Sequence, residues 1–531
     1  MALWGGALAL LLLAACDRTP QAAPDAQPAA TASIKTADRI AWIKGGRDEA
    51  MATARRSGRP LLVYWSAVWC PYCQQVEATV FTRADFIARS RQFVPVHLDG
   101  DDPGAQKWGE ALHVQGYPTL LVLDPGGREI QRIAGGMSLA RYAAVLDLAL
   151  ADLQPVDVLL AKLRANESLP EGACQRLAWN AWELETLDET GLAVRAQDLN
   201  RAVRHCTRRA APDAARLSVF AAWLQATAEA DALAAGKPPS ATLVARIDDV
   251  RDVLYLHRHD PGLMDALMAL DANFFTAAAR GGAEKEALRD AYSEAMQAAA
   301  REPGLVVAAQ LGAVAHQITA VRLLTPEGAV PGAMAAAARE RVESELAHAT
   351  TPEIRSGIFN AALNVYSALG DDQRAYDVAL AELGISKEPY YVKADLGEIA
   401  ERLGRGDEAL KWWAEAYAEA QGAATRFQWG QNYASALMRL APQDEARIRE
   451  VTLRVIAELD GPDRIYRRAR LRLEHLGEDL LRWNAAADGR HAPVLEALRT
   501  RMQQVCARIP ETEAAHASCA AFLAPTSRAW P

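Results

Sequence analysis

The sequence predicts a mixed α/β domain followed by a much larger all-α region, and three observations carry this expectation. An apolar run, Arg59-Pro60-Leu61-Leu62-Val63-Tyr64-Trp65-Ser66, leads through Trp69-Cys70-Pro71-Tyr72-Cys73 into the helical segment Gln74-Gln75-Val76-Glu77. A second apolar run, Thr119 to Leu123, begins directly after Tyr117-Pro118. After Leu150 the strand patterning stops, and about 380 residues remain in which apolar side chains recur at three- and four-residue spacing.

In chain order, residues 2–15 are apolar and end in Leu13-Ala14-Ala15-Cys16. The run is short for a membrane-spanning helix and suits the core of a signal peptide. Its end resembles the lipobox of bacterial lipoproteins, which implies a signal segment over 1–16 and a lipid on Cys16. Residues 17–37 are rich in Ala, Pro and small polar side chains, so they are expected to form a flexible tether. The resemblance places the chain on the periplasmic side of a bacterial membrane, held by its lipid anchor. Asp17 points toward the inner membrane by an enterobacterial rule, and the choice between inner and outer membrane stays open.

Residues 38–152 form the expected α/β domain. Cys70 falls where a strand has ended and a helix begins, so free backbone N–H groups and the helix dipole favour its thiolate. Pro71 suits the first helical position, where its missing N–H costs nothing. Cys73, one turn on, is placed to resolve a mixed disulfide. The same spacing provides half of many zinc sites, but the 10 histidines are scattered and supply no second pair, so no metal is expected.

With Pro118 ahead of a strand some forty-five residues after the cysteines, the chain resembles the thioredoxin fold, in which a cis-proline loop faces the CxxC. Trp42, Glu77, Val80-Phe81, the strand Phe93 to Asp99 and Asp124-Pro125-Gly126-Gly127 narrow the similarity to the DsbD C-terminal domain and its relatives. The resemblance implies that Tyr117, Pro118 and Thr119 offer backbone groups to a substrate chain, beside Trp69 and Tyr72 as an apolar docking surface. Two departures stand out. Tyr64 occupies the place, six residues before Cys70, of the buried Asp of thioredoxins, and the dipeptide between the cysteines is Pro-Tyr. His97 and His113 are expected to be structural or exposed.

Of 7 cysteines, assigning Cys16 to lipid and Cys70 with Cys73 to exchange leaves Cys174, Cys206, Cys506 and Cys519. An even remainder permits two structural disulfides in an oxidising compartment. Cys174–Cys206 and Cys506–Cys519 are favoured because each pair would lie on neighbouring helices. Other pairings and buried free thiols remain open.

Residues 153–531 read as a string of helices, with segments over 159–165, 174–185, 214–234, 240–256, 284–301 and 333–349. Leu369-Gly370-Asp371-Asp372-Gln373-Arg374-Ala375 recurs 34 residues later as Leu403-Gly404-Arg405-Gly406-Asp407-Glu408-Ala409, with a looser copy at Leu440 to Ala446. That period is the tetratricopeptide length, so repeat units of this kind are expected near 355–450. Trp179, Trp182, Trp223, Trp412, Trp413, Trp429 and Trp483 could floor a groove, but at helical spacing most are read as core. The basic stretch 464–472 is read as a solvated helix face. A net charge of −9 and the expected compartment argue against a nucleic-acid partner.

The expected activity is thiol-disulfide exchange on protein thiols or disulfides through Cys70 and Cys73, as a reductase rather than an oxidase, with a membrane electron donor and no cofactor. A lipoprotein scaffold, in which the helices bind a protein and the α/β domain is a binding module, is the alternative. No P-loop, dinucleotide-binding glycine pattern, HExxH or GxSxG motif is present. A peroxide-reducing system lacks its motif.

Overall fold

A computed structural model describes residues 39–524 except 45, 103, 115, 134, 136, 186, 188, 207–210, 281–284, 462–463 and 512. The expected signal segment with Cys16 and the tether 17–37 lie outside the described residues.

Strands and helices alternate through the first part: β1 (Ile43–Lys44), α1 (Arg47–Ser57), β2 (Leu61–Ser66), α2 (Pro71–Thr79), α3 (Ala84–Ser90), β3 (Val94–Asp99), α4 (Ala105–Ala111), β4 (Thr119–Leu123), β5 (Glu129–Ile133) and α5 (Leu139–Ala151). The sheet order is β1-β3-β2-β4-β5. β2 runs parallel to β3 and antiparallel to β4, which in turn pairs antiparallel with β5. β2 is central and buried along its whole length, which explains why its sequence is a continuous apolar run instead of an alternating one. Period-two geometry sends Leu61, Val63 and Trp65 to the face packed by α1 and α4, and Leu62 and Tyr64 to the face packed by α2.

The face bearing α2 is not closed by the α/β unit alone. Its apolar core runs on without a break into the helical region, through Leu159, Trp182 and Phe220 and as far as Leu523. β5 would otherwise be an open edge, and the segment after helix Ala173–Ala178 covers it. Asn180 Oδ1 accepts from Arg132 N at 2.9 Å, and Ala181 N donates to Arg132 O at 3.0 Å. This contact also corrects the expected helix over 174–185. Asn180 and Ala181 leave the helix to pair with β5, and Trp182–Leu184 forms only a short 3-10 turn. The Arg176 guanidinium, fully buried, donates to Ile130 O at 2.6 Å and Gln154 O at 2.7 Å and pairs with Asp152 at 2.9 Å.

From Val156 on, every regular element among the described residues is helical. In the repeated segment, helices Pro352–Leu369 and Pro389–Arg402 each end at the Leu-Gly dipeptide. Gly370 and Gly404 take φ values of 70° and 73°, the left-handed conformation that ends a helix cheaply only at glycine. Ala375 and Ala409 occupy equivalent places in the following helices and are both fully buried. The repeat in sequence is therefore a repeated helix, stop and close contact. Cys174 is bonded to Cys206, and Cys506 to Cys519, with Cα separations of 5.7 and 5.6 Å. Each bond joins two helices of the helical region.

Candidate functional site

Cys70 caps the N-terminus of α2. Its backbone is extended, at φ −73° and ψ 114°, and its sulfur accepts from Cys73 N at 3.1 Å. Pro71 holds the first helical position. The Cys70 and Cys73 sulfurs are bonded, with Cα atoms 5.2 Å apart. A sulfur already receiving a backbone N–H at a helix N-terminus is stabilised as a thiolate once the bond is broken.

Behind the dithiol, Tyr64 replaces the acid expected from thioredoxins. Its hydroxyl donates to Glu77 Oε1 at 3.0 Å and lies 3.3 Å from Cys73 O. Burial, then the nearby Glu77 charge, pushes the Tyr64 hydroxyl well above the usual tyrosine range. Partial burial raises Glu77, against the lowering effect of the Tyr64 hydrogen bond. His97 stacks on Tyr64 at 4.9 Å between ring centres and bonds Ser66 Oγ at 2.7 Å, a packing role. His113 is exposed in the left-handed conformation, at φ 53°.

The Tyr117–Pro118 peptide bond is cis. Tyr117 lies edge-on to Trp69, with ring centres 5.6 Å apart, so the loop at Pro118 and the CxxC meet at one place. Thr119 is buried, and its hydroxyl donates to Gly116 O at 3.0 Å, within its own loop. Gly100 is required here because a Cβ at that position would run into the Tyr117 ring.

This face does not look out on solvent. Cys70 is 2% exposed, Cys73 1% and Trp69 9%, which departs from the expectation of an open apolar docking surface. Helices of the helical region pack over Trp69 and Tyr72 on this face. The Trp69 ring stacks on Tyr391 at 5.6 Å and meets Trp429 edge-on at 5.7 Å. Its Nε1 donates to Thr425 Oγ1 at 2.8 Å. The Tyr72 hydroxyl is pushed up to about 12 by burial, and Asn364 Nδ2 approaches it at 3.5 Å. Helix Pro352–Leu369 lies so close to α2 that a Cβ on Gly357 would reach the Gln75 side chain.

The basic stretch is corrected in the same way. Helix Arg467–Ala486 turns it toward the α/β unit instead of toward water. Arg468 lies over the Tyr117 ring at 4.5 Å, and Arg470 pairs with Glu110 at 2.6 Å. Arg472 donates to Gln431 Oε1 at 3.1 Å, and burial, then Arg468, lowers its pKa. The solvated-face reading fails because the partner surface lies more than 300 residues earlier in the chain. Among the described residues no cluster of His, Cys, Asp and Glu could hold a metal ion.

Sequence reasoning missed four of the groups that close the site, Asp101, Tyr391, Thr425 and Gly422, and named the fifth, Trp429, among tryptophans read mainly as core. Asp101 Oδ1 accepts from Ala424 N at 2.8 Å and Thr425 N at 3.2 Å, and Oδ2 accepts from Thr425 Oγ1 at 2.6 Å. A residue of the α/β unit thus caps helix Ala423–Leu440 of the helical region. The only sequence signal was Gly422 before an apolar helix, which marks a helix start and says nothing of the distant carboxylate.

Residues 47–150 match the family model described as a thioredoxin-like domain. A 100-residue stretch is 31% identical to Thiol:disulfide interchange protein DsbD 1 of Pseudomonas aeruginosa, and the match takes in 18% of this chain and 17% of that protein.

Proposed function

We propose, from the premise that residues 47–150 are a thioredoxin-like domain, that the chain is a thiol-disulfide oxidoreductase working through Cys70 and Cys73. The observation that carries this reading is the pairing of a helix-capping Cys70, bonded to Cys73, with the cis Tyr117–Pro118 loop that packs against Trp69. In the reducing direction the Cys70 thiolate attacks one sulfur of a substrate disulfide and releases the other as a thiolate. Cys73, losing its proton, then attacks Cys70 and releases the second substrate thiolate. Two electrons pass to the substrate, which takes up two protons, and the Cys70–Cys73 bond returns. A donor dithiol must reopen it. The similarity to a thiol:disulfide interchange protein supports the exchange itself, and we read its direction as reduction, fed by a donor in the membrane. Leu13-Ala14-Ala15-Cys16 supports a lipid-anchored chain on the periplasmic side, where protein disulfides are the available substrates. Tyr117, Pro118 and Thr119 are the proposed substrate-pairing segment. The helical region, in this reading a tetratricopeptide-like array, selects partners.

Redox titration of the chain in dithiothreitol or glutathione buffers, with thiols counted by mass spectrometry, tests the reading. A potential near about −270 mV marks a reductase and one near about −120 mV an oxidant. Absence of exchange at Cys70 would favour the scaffold reading, which the burial of both sulfurs beneath helices independently supports.

A further inference from the structure

We propose that the helical region is a built-in cap on the dithiol, latched by Asp101 and Thr425, which must swing away before a protein disulfide or donor reaches Cys70. This rests on the oxidoreductase reading and adds to it the control of access.

Three independent contacts place the cap on the working face. The first is the latch. One carboxylate, Asp101, satisfies two of the free N–H groups that begin helix Ala423–Leu440, a favourable position for a negative charge. Thr425 Oγ1 donates to that carboxylate and accepts from Trp69 Nε1, so one hydroxyl ties the helix both to the loop after β3 and to the residue beside Cys70. The second is the box of Tyr391, Trp429 and Tyr117 around the Trp69 ring, which fills the apolar surface a substrate chain would use. The third is the close approach of helix Pro352–Leu369 to α2 at Gly357. With these contacts in place Cys70 is 2% exposed, too little for a protein sulfur to reach it.

The latch is separable from the chemistry. Asp101 touches neither sulfur in any of its hydrogen bonds, and Gly422 sits at φ 79°, where a Cβ is strained and would also run into the Asp101 carboxylate. Asp101→Ala removes the acceptor, and Gly422→Ala forces the same contact apart by a different route.

The experiment follows reduction of the Cys70–Cys73 bond in the oxidised full chain by dithiothreitol, quenched with N-ethylmaleimide and read at the peptide level. Hydrogen exchange over 423–430 reports whether the latch is open. The expected result is that both substitutions raise exchange there and speed reduction at least tenfold over the unaltered chain. Faster exchange with an unchanged reduction rate would overturn the cap, because the dithiol would then be shielded by its own domain alone. Unchanged exchange in both variants would overturn the latch. Dithiothreitol needs no protein partner, so a dithiol that is reduced in both variants but not in the unaltered chain supports the cap, whereas one that is reduced in none of them while hydrogen exchange over 423–430 rises overturns the functional reading.

Discussion

Asp99 ends β3 and holds the loop that carries the latch. Its side chain accepts from Val68 N at 3.1 Å and from Asp101 N at 2.9 Å, linking the residue before Trp69 to the carboxylate that caps the distant helix. Burial raises its pKa to about 6, with the neighbouring Asp101 and Asp102 charges adding to the rise and the backbone hydrogen bonds opposing it. A carboxyl raised in the folded state binds a proton more tightly there than in the unfolded chain, where it titrates near about 4. Its contribution to stability is therefore fully present below about pH 4 and is lost as pH rises through about 6. We predict that Asp99→Asn, compared with the unaltered chain by urea unfolding, gains relative stability by up to about 2 kcal/mol between pH 4 and 7 and no more above that. A difference that stays flat across this range would show that the carboxylate is as well solvated in the folded chain as in the unfolded one. None of this was legible in the sequence, where Asp99 served only to end a strand. The pairing of Cys70 with Cys73 was legible because the two stand one helical turn apart, and the cis bond before Pro118 because it belongs to the family resemblance.

Elements were readable to the extent that local pattern decides them. The continuous apolar run of β2 and the helical spacings after Leu150 announced themselves, and Leu-Gly at 369–370 and 403–404 marked two helix ends that take the same backbone conformation. The helix expected over 174–185 was cut short because Asn180 and Ala181 serve the β5 edge, a tertiary demand that overrides local propensity. The cysteines of this region act at the scale of helix pairs. Cys174 and Cys206 close a loop with a sequence separation of 32, and Cys506 and Cys519 one of 13. Longer loops cost more entropy to close in the unfolded chain. Replacing Cys174 and Cys206 together by Ala is expected to destabilise the helical region by about 3–4 kcal/mol, and replacing Cys506 and Cys519 by about 3 kcal/mol, in denaturant titrations followed by circular dichroism. The reverse order of cost would mean that strain or unfolded-state structure outweighs loop length.

At the scale of the whole molecule, two regions that the sequence presented as consecutive share one apolar core and one face. That could not be read from a single chain, since Asp101 and Thr425, or Glu110 and Arg470, are separated by more than 300 residues and each looks like an ordinary surface residue in its own neighbourhood. The Glu110–Arg470 pair offers a direct check. It joins α4 to helix Arg467–Ala486 at 2.6 Å, with side chains 26% and 15% exposed, so solvent screens it less than a surface pair. Arg470→Glu sets two carboxylates against each other, and Glu110→Arg sets two guanidinium groups together. Each single reversal is expected to loosen the docking and lower stability by about 1–3 kcal/mol, whereas the double reversal restores opposite charges at the same place. The coupling from this cycle, read by unfolding and by hydrogen exchange over 105–111 and 467–473, should be about 1–2 kcal/mol in favour of the pair. Additive losses, with no recovery in the double variant, would mean that the two regions do not meet here in solution. Recovery would tie the docked arrangement to a specific contact remote from the dithiol, independent of any measurement of its redox chemistry.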